Sequence, residues 1–255
     1  MEAERDFVKT MESLRKKVSY TNYHVPQGGL PPQSERLADR AIFTESFAFI
    51  PSDVQTDIVT SFLPHWEATR LWVLARPMTG FAETFSHYLM EVAAGGGSQK
   101  PEDDLSAQSV LFVVGGKAKL YYGDSEANLD IGSYAYLPAG LNWKLENRYK
   151  KPFHFHWIRK RYQAVEGIDA PDAFVTKDID TPAIKMPETG GVWATTRFVL
   201  PDDLRHDMHV NIVTFQPGGR IPFAETHVME HGLYVLQGSG VYYLNGRWIE
   251  VSKGD

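Results

Sequence analysis

The sequence has no cysteine among its 255 residues. Disulfides, thiolate metal sites and cysteine nucleophiles are therefore excluded, and the lack of disulfides leans towards a reducing compartment. No apolar run is long enough to span a bilayer. No block of a single charge is present either. The 26 Lys and Arg and 32 Asp and Glu are scattered and leave a net charge of -6, which gives no field to hold nucleic acid or an anionic membrane. The first residues, MEAERDFVKTMESLRKKV, contain no apolar core of a signal peptide. Glu2, Glu4, Asp6 and Glu12 make them a poor transit peptide, so the chain as written is expected in the cytoplasm. The glycine-rich AGGG at 94–97 has no Gly-Lys-Ser/Thr after it, and no Gly-x-Ser-x-Gly elbow occurs.

What is present is ordinary for a globular protein: 43% hydrophobic and 23% charged residues. At ~100–200 residues per domain, one large domain or two small ones fit. Phe7, Met11, Leu14 and Val18 recur at helical spacing and predict a short amphipathic helix. Residues 19–36, with Pro26, Gly28, Gly29, Pro31 and Pro32, read as an extended loop. Beyond this, aromatic and β-branched residues alternate between Gly- and Asp-bearing turns. Strands are expected over 86–92, 110–114, 117–122, 135–137 and 153–158, and such short, regular strands point to a barrel or sandwich.

The strand series occurs twice. LFVVGGKAKLYY at 111–122 aligns with LYVLQGSGVYYL at 233–244, EVAAGG at 91–96 with TFQPGG at 214–219, and Ile131-Gly132 with Lys253-Gly254. Two barrels on one plan are implied. The expected division is a terminal extension at 1–36, a first barrel at 37–165, a connector at 166–190 and a second barrel at 191–255. After Gly132 the first copy continues through SYAYLPAGLNWKLEN and FHFHWI, whereas the second has one residue after Gly254. Its last strands are missing, so a fragment, an alternative product or a covering partner is expected.

The sharpest cluster is ETHVMEHG at 225–232. On a strand, Glu225, His227 and His231 share one parity and leave one face. One carboxylate and two imidazoles can then converge on a divalent metal and leave positions open for water or substrate. The same spacing also occurs in hydrogen-bonded surface pairs. The preceding Pro-Gly-Gly and the following glycine-rich strand–turn–strand favour the metal. At the repeat offset these positions fall on Asp103, Leu105 and Ser109. Leu105 cannot ligate a metal, so the first barrel is expected to be metal-free. His154 and His156, which alternate on one strand face, read as packed or hydrogen-bonded rather than ligating.

Pro-Gly-Gly, the ligand cluster and the glycine-rich hairpin together resemble the first motif of cupins, with the glutamate placed ahead of the histidines. That order, with LPDDLRHDMHVNIVTFQPGG at 200–219, LADRAI at 37–42 and RKRYQAVEG at 159–167, resembles the ureidoglycine aminohydrolase family, and the plant members in particular. The resemblance implies an all-β bicupin fold: two tandem double-stranded β-helix (jelly-roll) barrels, the second incomplete. It implies hydrolysis of ureidoglycine to ureidoglycolate and ammonia in allantoin catabolism, with Mn2+ on Glu225, His227 and His231. The ligands alone leave iron, zinc and nickel open. Glu225 and Tyr242 are the candidate catalytic groups, although Tyr242 also fits an ordinary barrel-lining aromatic. The family's fourth ligand, a glutamine, falls by the repeat offset beyond Asp255. The expected partner is the small-molecule substrate, with no nucleic acid, no membrane and a homo-oligomeric assembly; plant relatives make the endoplasmic reticulum an alternative address. An iron dioxygenase-type cupin and a non-enzymatic storage or ligand-sensing bicupin stay open as other readings.

Overall fold

The computed structural model describes residues 41–52, 63–75, 85–187 and 190–255. The expected amphipathic helix and the loop at 19–36 lie outside them. The described residues contain no α-helix, and no helix among them is long and apolar enough to cross a membrane. A two-stranded hairpin, β1 (Ile42–Phe43) and β2 (Ala48–Phe49), comes first. The main sheet follows with β3 (Trp66–Ala75), β4 (Phe85–Ser98), β5 (Ala107–Gly115), β6 (Lys117–Tyr122), β7 (Ser125–Asp130), β8 (Ser133–Leu137), β9 (Trp143–Glu146), β10 (Phe153–Arg161) and β11 (Phe174–Lys177). Its order is β11-β8-β5-β10-β4-β9-β6-β7, with β3 on the other side of β4, and every pairing is antiparallel.

Alternation along β10 shows how the sheet is filled. Phe153, Phe155 and Trp157 point to one face, His154, His156 and Ile158 to the other. The first face closes over a core of Trp66, Met90, Leu111, Val113, Leu120, Trp143 and Leu145. Three indoles fill its middle: the Trp157 ring lies 5.7 Å from Trp66 and 6.0 Å from Trp143. Aromatic pairs in this range add about 0.5–1.5 kcal/mol each beyond the area they bury.

The second face is apolar too, which is why AQSVLFVVG in β5 is buried along its whole length instead of alternating. Val110, Phe112, Tyr134, Tyr136 and Ile158 meet Phe198, Met208, Val210, Ile212 and Leu236 there. The chain's second half is thus packed onto the outside of the first sheet. That half comprises β12 (Ala183–Lys185), β13 (Trp193–Arg197) and β14 (Asn211–Phe215) in one three-stranded sheet, and the hairpin β15 (Ser239–Leu244) with β16 (Arg247–Ser252). The stretch expected as a connector holds two strands, β11 paired to β8 and β12 paired to β13.

The repeat is visible in the backbone. β6 and β15 align, as do β7 and β16, and each pair is preceded by a glycine at positive φ, Gly116 (73°) and Gly238 (79°). Gly132 donates to the Val113 carbonyl at 2.9 Å, and Gly254 to that of Val235 at 2.8 Å. The Asn245-Gly246 turn, with φ of 42° and 81°, suits the right-handed twist of a tight hairpin.

Candidate active site

The ligand-bearing segment leaves β14 through Gly218 and Gly219. Its turn is held by Gln216 N–H donating to the Val192 carbonyl at 2.9 Å and Gly219 N–H donating to that of Gln216 at 2.8 Å. It rejoins a ladder only at β15. Residues 216–238 form no strand, contrary to the expectation that Glu225 and His227 share a strand face and that 233–237 form one. The reason is visible in the first copy, where β5 is a strand because β10 and β8 flank it. No described strand flanks 229–237; Val235 bonds to Gly254 and Asp255, too short a pairing to hold the segment extended.

The three side chains still meet. His227 Nε2 lies 3.7 Å from Glu225 Oε2, and the His227 and His231 rings are 4.5 Å apart at 55°. Donors each about 2.1 Å from one ion stand roughly 3–4 Å apart, so Glu225 and His227 match a shared ion. The His231 ring packs against that of His227, and no three His, Cys, Asp or Glu side chains among the described residues converge tightly enough to enclose a metal. The donor chemistry and the Glu225–His227 spacing fit a divalent cation, and the third candidate donor is adjacent. Tyr242 stands near this group. Burial, and after it the Glu225 charge, raises its phenol above the ordinary value, so it keeps its proton and can donate.

In the first copy the matching positions are occupied otherwise. Asp103 pairs with Lys100 and His65, Leu105 is exposed, and Ser109 Oγ accepts from Trp157 Nε1 at 3.0 Å. Leu120, the counterpart of Tyr242, is fully buried. A cleft of about 340 Å3 opens beside Leu71, Tyr88, Asp103 and Trp157. Its arginine, Arg159, is already engaged by both oxygens of Glu102.

His154 and His156 are hydrogen-bonded, as expected, but to partners the sequence did not name because they are distant in the chain. His154 Nε2 is 2.9 Å from Glu91 Oε2, whose Oε1 accepts from Arg70. His87 lies opposite Ile158 in the ladder, so its ring reaches the diagonal neighbour His156, Nε2 to Nδ1 at 2.9 Å. Burial lowers the His87 imidazole to about 4. The unfolded chain takes up this proton below about pH 6.5, the folded chain only below about 4. Stability is therefore lost as pH falls through that window, by about 3 kcal/mol from this group. Urea midpoints at pH 7 and pH 4.5 should fall less far apart in His87→Gln than in the parent. Equal drops in the two proteins would refute the assignment.

The cupin domain family matches residues 211–255. The curated (S)-ureidoglycine aminohydrolase of Escherichia coli K12 is 30% identical over 88% of this chain and 83% of its own length. That of Arabidopsis thaliana is 29% identical over 85% and 68%. The crystal structure of a glyoxylate-induced protein from Pseudomonas aeruginosa superposes with a TM-score of 0.84 at 55% identity, covering 91% of this chain and 85% of that one. With a cupin fold, a motif led by glutamate, and relatives matched across nearly the whole chain, the protein belongs to the (S)-ureidoglycine aminohydrolase family.

Proposed function

We propose that the chain hydrolyses (S)-ureidoglycine to (S)-ureidoglycolate and ammonia, with Mn2+ held by Glu225, His227 and His231. The observation that carries this reading is the gathering of one carboxylate and two imidazoles within 3.7 Å and 4.5 Å of one another, in a family whose curated members bear that activity in their names. A place in allantoin breakdown and a homo-oligomeric assembly belong to the same reading.

The reacting carbon of ureidoglycine carries an amine, a ureido group and a carboxylate. In the hydrolysis its bond to the amine nitrogen breaks, a bond to the water oxygen forms, and the water's proton leaves with the nitrogen as ammonia. A bound divalent ion would supply a Lewis-acidic point that makes water more acidic and steadies negative charge; carboxylate and water ligands suit manganese. Glu225 offers a carboxylate oxygen to accept a proton from water. The protonated Tyr242 phenol beside it offers a donor to the substrate carboxylate, which orients the reacting carbon.

Ammonia release from fresh (S)-ureidoglycine should appear with added Mn2+, disappear on chelation, and be absent in Glu225→Ala. Release that survives both chelation and the substitution would overturn the site. Absence of release by the parent under saturating Mn2+ would overturn the reaction.

A further inference from the structure

The segment that carries the candidate ligands forms no strand between 216 and 238. Val235 is bonded to Gly254 and Asp255 and Gly238 to Lys253, all downstream of His231. Upstream of these bonds the segment rests on the first unit's sheet. A Cβ on Gly232, next to His231, would stand 3.1 Å from the Phe85 ring and 3.8 Å from His87 Nδ1, so the backbone there lies directly on those two rings. Two residues on, the Tyr234 ring packs on His156, centroids 4.3 Å apart at 58°. Leu236 then enters the apolar cluster of Val110, Phe112 and Tyr134. The two imidazoles are joined to each other at 2.9 Å and stand on β4 and β10, which pair over eight consecutive positions. A loop laid on such strands inherits their rigidity.

We infer that His87 and His156 are positioning residues: their hydrogen-bonded pair on the first unit forms the seat for Gly232 and Tyr234, and through them sets where His231 stands. The inference rests on reading Glu225, His227 and His231 as the ligand set. It gives the first unit a part in the chemistry although none of the three proposed ligands lies on it. A group that orients a ligand without touching the metal typically changes affinity by 10–100-fold.

The nature of the bond dictates the variants. His87 bonds through Nε2, which a glutamine nitrogen approximates; His156 bonds through Nδ1, which an asparagine nitrogen approximates. Leucine at either place fills space and removes the bond. In the metal-free protein, deuterium uptake over 225–236 should rise in His87→Leu and His156→Leu, and stay near the parent's level in His87→Gln and His156→Asn. Mn2+ titration followed by electron paramagnetic resonance should show roughly tenfold weaker binding in the leucine variants and rescue in the amide variants. If the leucine variants do not fold, Tyr234→Leu removes the same seat from the other side and should raise uptake alike.

Unchanged uptake over 225–236 in a folded leucine variant or in Tyr234→Leu would overturn the seating. Raised uptake with unaltered Mn2+ affinity would overturn its link to His231. A parent chain that binds no Mn2+ would sink the metal reading, while the exchange comparison, which needs no metal, still decides the seating.

Discussion

Replacing His227 with alanine should abolish Mn2+-dependent ammonia release and weaken Mn2+ binding at least a hundredfold, the upper end of what even indirect ligand partners contribute. His227 is the middle member of the group. Its Nε2 faces Glu225 at 3.7 Å and its ring faces His231 at 4.5 Å, so its loss separates the two remaining donors as well as removing one. Stability should barely change. The side chain is 30% exposed and lies in a segment without ladder bonds; a surface substitution of this kind stays within about 0.5 kcal/mol. Loss of activity with an unchanged melting curve would thus mark chemistry rather than folding. The repeat supplies its own control. Leu105 holds the matching position in the first copy and is exposed, and Leu105→Ala should leave both binding and turnover intact. A His227→Ala protein that keeps half its Mn2+ affinity would remove the ligand assignment.

The legibility of the chain in its sequence divides along a physical line. Local alternation and turn chemistry made the first unit readable: 117–122 was expected as a strand and is β6, and 153–158 lies within β10. The repeat in the sequence survives as matching glycine conformations at Gly116 and Gly238. The proximity of Glu225, His227 and His231 was equally readable, because they are neighbours in the chain. What failed was the inference from cluster to strand. Parity arguments presume a ladder, and a ladder depends on what lies to either side, which the segment's own residues do not specify. The His87–His156 pair was illegible for a related reason. Its members are 69 positions apart; His156 was expected to be packed or hydrogen-bonded, but His87 looks like a lone histidine until the register of β4 on β10 is known. The packing of the second half onto the first was likewise hidden, since the apolar cluster and the aspartate that join them draw on residues far apart in the chain.

That aspartate is Asp207, and Asp207→Ala should cost about 1–3 kcal/mol of stability, the range found when partly buried hydrogen-bonding groups lose their partner. Asp207 accepts from Lys160 Nζ and, at 2.8 Å, from the Gln163 backbone N–H, while its other oxygen accepts from Gln108 Nε2. Gln108 is fully buried and in turn accepts from the Tyr136 hydroxyl at 3.0 Å. The Lys160 and Asp207 side chains are 11% and 17% exposed. Alanine would leave the ammonium and the amide nitrogen with little access to water and without this acceptor, which is where the energy is lost. Asparagine keeps one oxygen in place and should lose roughly half as much. The double change Asp207→Ala with Lys160→Met should recover much of the loss, because the stranded charge is gone. Urea unfolding of the parent, Asp207→Ala, Lys160→Met and the double variant closes the cycle. A loss below about 1 kcal/mol in Asp207→Ala would show the pair to be solvated and incidental. The expected loss would establish Asp207 as the clamp between the first sheet and the turn leading through Met208 into β14. It would also mean that the path to Glu225 begins from a fixed point on the first unit, so that whatever loosens Asp207 loosens the candidate site 18 residues downstream.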